Sequence, residues 1–164
     1  MAEYKIMPHN IEAEQAVLGS IIIDIQAQAD IFALIKEEDF YSQAHKEIYR
    51  VMMKIYQKTT PVDFITLTTQ LDQDKILDKV GGIDYINTLL NVVPSAARFK
   101  YYCDIVKGDS VKRKLIHAGQ KIIEEAYDSQ DKEKSLQFAE KEIFDIYYKL
   151  YNKGKTAYEK VLEL

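Results

Sequence analysis

Residues 95–151 read SAARFKYYCDIVKGDSVKRKLIHAGQKIIEEAYDSQDKEKSLQFAEKEIFDIYYKLY, and their pattern decides the fold. No proline interrupts them, and apolar residues recur at helical spacing as far as Tyr127. A helix of about thirty residues, at ~1.5 Å per residue, is roughly 45 Å long. Its apolar side chains fall in two adjacent rows. One is Tyr101, Ile105, Leu115, Gly119, Ile122 and Ala126; the other is Tyr102, Val106, Ile116, Ile123 and Tyr127. Covering one partner needs one stripe about 100° wide, so two rows predict two partners. Asp128-Ser129-Gln130-Asp131 is a polar turn, and a second helix follows over about 132–151. Leu136, Ile143 and Leu150 repeat at heptad spacing with Ala139 and Ile146 between them, which reads as a coiled-coil seam, and Phe144, Tyr147 and Tyr151 add a second row. Two long helices joined by a short turn make an antiparallel hairpin.

Upstream, Pro8, Pro61 and Pro94 each precede a helix-like pattern, and Gly81-Gly82 marks a turn. Asn10 reads as the cap of a first helix, with Glu12 and Glu14 in its first turn and Ala13, Ala16, Val17, Ser20 and Ile21 on one face. Asp24 caps a second helix carrying Ile25, Ala29, Phe32 and Ile35. Lys36 to Phe40 reads as a loop, and Ser42 caps a third helix through Ile48, Val51, Met52, Ile55 and Tyr56. Residues 61–71 fit either an alternating strand or a helix capped by Asp63; the helix is favoured because a lone strand has nothing to pair with. A fifth helix carries Tyr85, Ile86, Leu89 and Leu90. The predicted fold is all-α: a compact head of about five helices over 1–94, then the long antiparallel two-helix hairpin over 95–153. In the last segment, 154–164, Thr156 and Glu159 form a capping box before Tyr158, Val161 and Leu162. So short a helix needs tertiary contacts, so it is expected to dock on something beyond this chain and Leu164 to be a boundary.

The chain has 164 residues, 47% hydrophobic and 29% charged, as an ordinary globular domain does. Its longest aliphatic run is Ile21-Ile22-Ile23 and Met1 to Lys5 lack a signal-peptide core, so a cytoplasmic place is expected. Cys103, the one cysteine, excludes an internal disulfide framework and a cysteine-rich zinc site. Residues 1–99 hold 9 basic and 14 acidic residues and residues 100–164 hold 13 and 12, giving −5 and +1 of the net −4. Neither half has the balance of an autonomous nucleic-acid clamp.

The chemistry-bearing residues do not assemble into a centre. Gly154-Lys155-Thr156 looks like the end of a phosphate-binding loop, but Lys149 stands where the earlier glycine is needed and a helix, not a strand, precedes it. His9, His45 and His117 have no second ligand at helical spacing; His45 reads as a buried or capping histidine. Asp72, Asp74 and Asp78 lack the glycine and terminal glutamate of a calcium loop, and Glu37-Glu38-Asp39 reads as a solvated charge run. No catalytic, cofactor-binding or metal-ligating residues are predicted. Lys112-Arg113-Lys114 is the basic cluster that, with Lys107 and Lys121, could touch phosphates; it makes a helical module contacting single-stranded DNA the alternative reading. Gly108 and Gly119 inside a helix cost roughly 1 kcal/mol each relative to alanine, which predicts close approach of another backbone, within the chain or across a subunit interface.

Several stretches, in this order, resemble the N-terminal domain of DnaB-type replicative DNA helicases. They are Pro8-His9-Asn10-Ile11-Glu12-Ala13-Glu14-Gln15-Ala16-Val17-Leu18-Gly19, Glu38-Asp39-Phe40-Tyr41 with His45, Pro61-Val62-Asp63, Gly81-Gly82 with Tyr85, Pro94-Ser95-Ala96-Ala97 with Tyr101-Tyr102, and Ile105-Val106 with Arg113. Arg98 departs from the asparagine usual in the family. The resemblance covers about residues 8–150. It implies a non-catalytic collar domain of a hexameric 5′–3′ helicase, paired through the hairpins and docking a DnaG-type primase during DNA replication. A helicase loader is a further partner it allows, and DNA would pass through the full-length ring. It also implies that ATP and magnesium belong to a RecA-like motor domain outside this chain, that residues 154–164 begin a linker helix, and that the protein works at the replication fork. Periodicity and resemblance meet at the hairpin. Ile116, Ile123, Tyr127, Phe144, Tyr147 and Tyr151 become candidate partner or dimer contacts, with Tyr85 and Ile122 beside them, and Tyr158, Val161 and Leu162 become candidates for linker docking.

Overall fold

A computed structural model describes residues 5–151, and every regular element among them is helical. The α-helices are α1 (Ile11–Ile23), α2 (Ile25–Leu34), α3 (Gln43–Gln57), α4 (Phe64–Gln73), α5 (Gly82–Asn91), α6 (Phe99–Asp128) and α7 (Lys132–Tyr151). Short 3₁₀ turns lie at Glu37–Asp39 and Ala96–Arg98. The expected five-helix head and two long helices are present. By compactness the chain divides inside α6, into Met1–Ser110 and Val111–Leu164; the sequence reading ends the head at Pro94, where the proline-free run begins.

Side chains start the helices where the sequence places them. Asn10 accepts the Ala13 N–H at 2.9 Å, Asp24 the Gln26 N–H at 2.9 Å and Ser42 the His45 N–H at 3.3 Å. Each satisfies a backbone donor that has no partner inside its helix. The 61–71 stretch is helical from Phe64 onward. Asp63 accepts the Thr66 N–H at 2.8 Å and the Thr66 hydroxyl accepts the Asp63 N–H at 2.9 Å, a reciprocal cap. The extended backbone just before it needs no second strand. The buried Gln28 amide donates to the carbonyls of Ile21 and Val62, at 2.9 and 2.6 Å, and accepts the Val62 N–H at 3.2 Å.

In the first unit α1 is the centre. Nine of its thirteen residues are buried, and it packs on α2, α3, α5 and the 96–98 turn. A helix buried nearly all round belongs inside a core and not at its surface. Val17, Leu18, Ile21, Ile31, Phe40, Ile48, Met52, Leu67, Leu71, Ile86 and Leu89 make up that core. Close packing of α1 on α5 needs Gly19: a β-carbon there would lie 2.3 Å from the Leu89 carbonyl oxygen. Gly81, at φ +114°, turns the chain into α5, and a β-carbon there would meet Tyr85 Cβ at 2.6 Å. Tyr49 donates its hydroxyl to the Ile35 carbonyl at 2.5 Å, and burial holds its phenol well above the ordinary value. Burial also pushes the Cys103 thiol up to about 12, in spite of the opposing charge of Lys107, so this cysteine is core as expected.

Among the described residues nothing comes within 4 Å of a β-carbon built at Gly108 or Gly119, and the close approach seen within the chain is at Gly19. One expectation changes. Asp39 is fully buried, whereas its neighbours Glu37 and Glu38 are only half-buried or exposed; the acidic run is not uniformly solvated.

Gly19→Ala is expected to destabilise the chain by about 2 kcal/mol, because the Leu89 backbone cannot yield as a side-chain tip would. Gly108→Ala is expected to stabilise it by roughly 0.5–1 kcal/mol, since the site is open and helical. Circular-dichroism melts of both variants check this; a Gly19→Ala chain as stable as the parent would refute the close packing. A thiol with its pKa near 12 stays protonated at neutral pH. Ellman's reagent should therefore leave Cys103 unmodified in the folded chain and titrate it fully in denaturant; rapid reaction without denaturant contradicts the burial.

Candidate functional site

Glu14 stands on the face of α1 that also carries Val17 and Ile21, one and two turns on, and is therefore carried into the core. Its carboxylate accepts the Tyr41 N–H at 2.8 Å and the Ser42 N–H at 3.2 Å, just ahead of α3. His45, equally buried on the first turn of α3, brings Nδ1 to 2.8 Å from Glu14 Oε1. Its Nε2 lies 2.5 Å from the hydroxyl of Tyr85 on α5, and Gln15 Nε2 donates to that hydroxyl from 3.2 Å. The His45 and Tyr85 rings stack with centroids 5.9 Å apart. His45 is thus a satisfied buried histidine, as the sequence suggests. The chain Glu14–His45–Tyr85–Gln15 joins three helices and surfaces at the half-buried candidate residue Tyr85. The periodicity of α1 could have found Glu14, which shares the Val17 and Ile21 face; nothing local in the sequence reveals its partners.

Asp39 forms a second buried cluster. It accepts from Lys107 Nζ at 2.6 Å, from the Ser110 hydroxyl at 2.7 Å and from the Lys36 N–H at 2.8 Å. Lys107, a possible phosphate contact by sequence, instead gives its ammonium to this carboxylate. Of the basic cluster itself, Lys112 is exposed while Arg113 and Lys114 are half-buried. Lys121 lies 3.8 Å from Glu142.

In the second unit the chain reverses through residues 129–131, and the Lys121–Glu142 pair ties α6 to α7 antiparallel. Ala118 is buried on α6, and none of the residues of α7 is. On α7 the half-buried residues are Ser135, Phe138, Ala139, Glu142, Ile146, Tyr148 and Leu150. Leu136 and Ile143 of the proposed heptad seam are exposed instead. Two apolar rows run along α7, and periodicity alone does not say which one faces its own hairpin. Ile116, Ile123 and Tyr127 are exposed on α6, Tyr127 at 87%, and Phe144, Tyr147 and Tyr151 are exposed on α7. Ile122 is half-buried. The rings of Tyr147 and Tyr151 lie 4.5 Å apart, centroid to centroid. The candidate linker residues Tyr158, Val161 and Leu162 lie outside the described residues.

An apolar cleft of about 860 Å³ between α2 and α3, lined by Ile25, Ala29, Phe32, Met53, Tyr56 and Pro61 among others, was not anticipated. It gathers no titratable groups suited to catalysis. Among the described residues no three His, Cys, Asp or Glu side chains cluster to hold a metal ion, and no helix is long and apolar enough to cross a membrane.

The family described as DnaB-like helicase N terminal domain matches residues 6–108. The replicative DNA helicase DnaC of Bacillus subtilis is 35% identical over 161 residues, which is 98% of this chain and 35% of that protein. The replicative DNA helicase DnaB of Geobacillus stearothermophilus is 38% identical over 127 residues, 77% of this chain and 28% of that one. This chain therefore spans about a third of the length of such relatives. Among solved structures, the N-terminal domain of DnaB helicase from Mycobacterium tuberculosis superposes with a TM-score of 0.79 at 32% identity, over 85% of this chain and 98% of that one. A DnaB-like replicative helicase described with its interactions with primase superposes with a TM-score of 0.71 at 30% identity, over 94% of this chain and 34% of that one. On the family match and these relatives, the chain belongs to the DnaB-like helicase N-terminal domain family.

Proposed function

We propose that this chain is the non-catalytic collar of a hexameric 5′–3′ replicative DNA helicase. In this reading, copies pair through residues 111–151, and a DnaG-type primase docks on the assembled surface at the replication fork. The observation that carries it is the exposed apolar surface of that hairpin: Ile116, Ile123 and Tyr127 on α6, with Leu136, Ile143, Phe144, Tyr147 and Tyr151 on α7. Burying one such side chain is worth roughly 1.5–3 kcal/mol, and monomeric domains rarely leave so many exposed together. Tyrosines suit such a role, since each offers apolar area and a polar tip at low entropic cost. A structural relative described with its interactions with primase supports the identity of the second partner. Ile122 joins the candidate contacts of the hairpin, and Tyr85 is a separate candidate contact on the first unit. ATP and magnesium, a helicase loader, and passage of DNA all concern the longer protein, with Tyr158, Val161 and Leu162 opening the linker toward its motor.

The DNA-binding alternative rests on Lys112, Arg113 and Lys114 with Lys121, since Lys107 is held by Asp39. A net charge of −4 opposes it.

Light scattering across concentration should show self-association of the 164-residue chain, and Tyr147→Arg should weaken it at least tenfold while leaving the melting of the chain unchanged, because a buried unpaired charge at an interface centre costs several kcal/mol. Calorimetry with the C-terminal helicase-binding domain of primase should show a complex. A well-folded chain that stays monomeric and binds no primase domain would overturn the reading, and a salt-sensitive shift of single-stranded DNA by the isolated chain would favour the alternative.

A further inference from the structure

The first unit has an apolar surface of its own. Phe32 of α2 reaches Tyr49 and Tyr56 of α3, with ring centroids 5.5 and 4.7 Å away, and a mostly apolar cleft opens beside these rings. An adjoining hollow of about 480 Å³ shares Phe32, Met53 and Gln57 with that cleft, so the two form one groove. Together they hold several side chains, more than one anchor would fill. Ile25 is left 60% exposed on the groove wall. Gln28, which also lines the groove, spends its amide on Ile21 and Val62. The groove therefore asks for apolar side chains. Thr59 lines it too, at φ +58°, a left-handed backbone that β-branched residues rarely adopt. Strain of that kind gathers where a binding clamp needs the shape.

Charge says what kind of segment fits. Lys46, Arg50 and Lys54 of α3 and its cap Lys58 recur at four-residue intervals, and Glu47 is the one acid of that helix. Positions four apart are neighbours on a helix, so these cations form a row. Arg50 and Lys54 are themselves part of the groove wall, with Lys36 beside them. They are not idle. Arg50 bonds Glu37 and Glu47, Lys54 lies 3.3 Å from Asp74, and Lys58 brings its charge to the same carboxylate. Lys79 also draws on Glu47. The cations thus outnumber the carboxylates they share, in a half of the chain whose own net charge is −5. The Arg50 and Lys54 side chains are about half exposed, so their pairs are weak and open to exchange. On α2, Asp30 is exposed one turn before Ala33, so acids on an occupant would lie along α3 and not along α2.

We propose that the α2–α3 groove is a docking site for a short acidic, amphipathic segment of another protein. Its apolar side chains enter between Phe32 and Met53, and its carboxylates lie along Arg50, Lys54 and Lys58. This is the helix-in-groove mode, in which apolar anchors give affinity and flanking charge gives selectivity. The site shares no residue with the hairpin surface and does not depend on what binds there.

Three labelled synthetic peptides of about twelve residues serve as probes. All carry Leu and Phe at helical spacing, and they differ in having Glu, Gln or Lys at the polar positions. Fluorescence anisotropy with the 164-residue chain should show the Glu peptide bound about tenfold more tightly than the Lys peptide, as two or three exposed charge pairs allow, with the Gln peptide between them. Added salt should shrink that difference. Lys54→Gln combined with Lys58→Gln should erase most of it, and both positions are exposed, so melts of this variant should match the parent. Ala29→Trp, at an exposed position on the groove wall, should weaken all three peptides at least tenfold. Equal binding of the Glu and Lys peptides overturns the acidic partner. Binding that survives Ala29→Trp in a folded chain, or no binding of any peptide, overturns the groove as the site. If Ala29→Trp instead lowers self-association in light scattering, the occupant is a second copy of the chain and the proposal fails.

Discussion

A carboxylate sealed inside the first unit is the constraint on which much else depends. Glu14 sits on a helix that is buried nearly all round, so its charge is out of water and must be met by donors from the protein itself. Those donors come from the start of α3, through two backbone N–H groups and an imidazole. Their geometry sets where α3 begins relative to α1, and the imidazole hands the constraint on to α5 through Tyr85. Asp39 does the same for the root of α6 through Lys107 and Ser110. Apolar packing gives this unit its bulk, but it is non-directional; the two buried acids tie particular helices together.

Residues 111–151 follow a different logic. Two helices side by side seal very little: Ala118 is buried on α6, and α7 has no buried residue at all. The apolar side chains that in the first unit would close a core are on the outside. Exposed apolar surface of this extent is characteristic of interaction sites, which is the reason the proposed function lies here and not in a pocket.

Most of the fold was legible in the sequence, because its signals are local. Asn10, Asp24, Ser42 and Asp63 each accept a backbone N–H at the start of the helix they were read to cap. The ambiguous 61–71 stretch resolves as a helix by the same kind of evidence, the Asp63–Thr66 reciprocal cap. What the sequence hid is long-range. The contact between Lys107 and Asp39 spans 68 positions and that between His45 and Tyr85 spans 40, and no window of periodicity reaches so far. The acidic run at Glu37–Asp39 shows the failure clearly: composition treats its members alike, and the fold buries only Asp39. Gly108 and Gly119 show the converse, since a helical glycine advertises a cost but not its cause. Within the chain the close approach is at Gly19, in the Pro8–Gly19 stretch.

The lack of any buried side chain on α7 also governs how its amide protons meet solvent. Exchange from α1, enclosed on nearly every side, requires the whole first unit to open, whereas turns of α7 can open singly, with little apolar area to expose in doing so. Deuterium should therefore enter α7 of a dilute chain orders of magnitude sooner than it enters α1. Whatever settles on this helix would write its outline as a set of newly slow amides, which would make α7 the natural recording surface of the molecule.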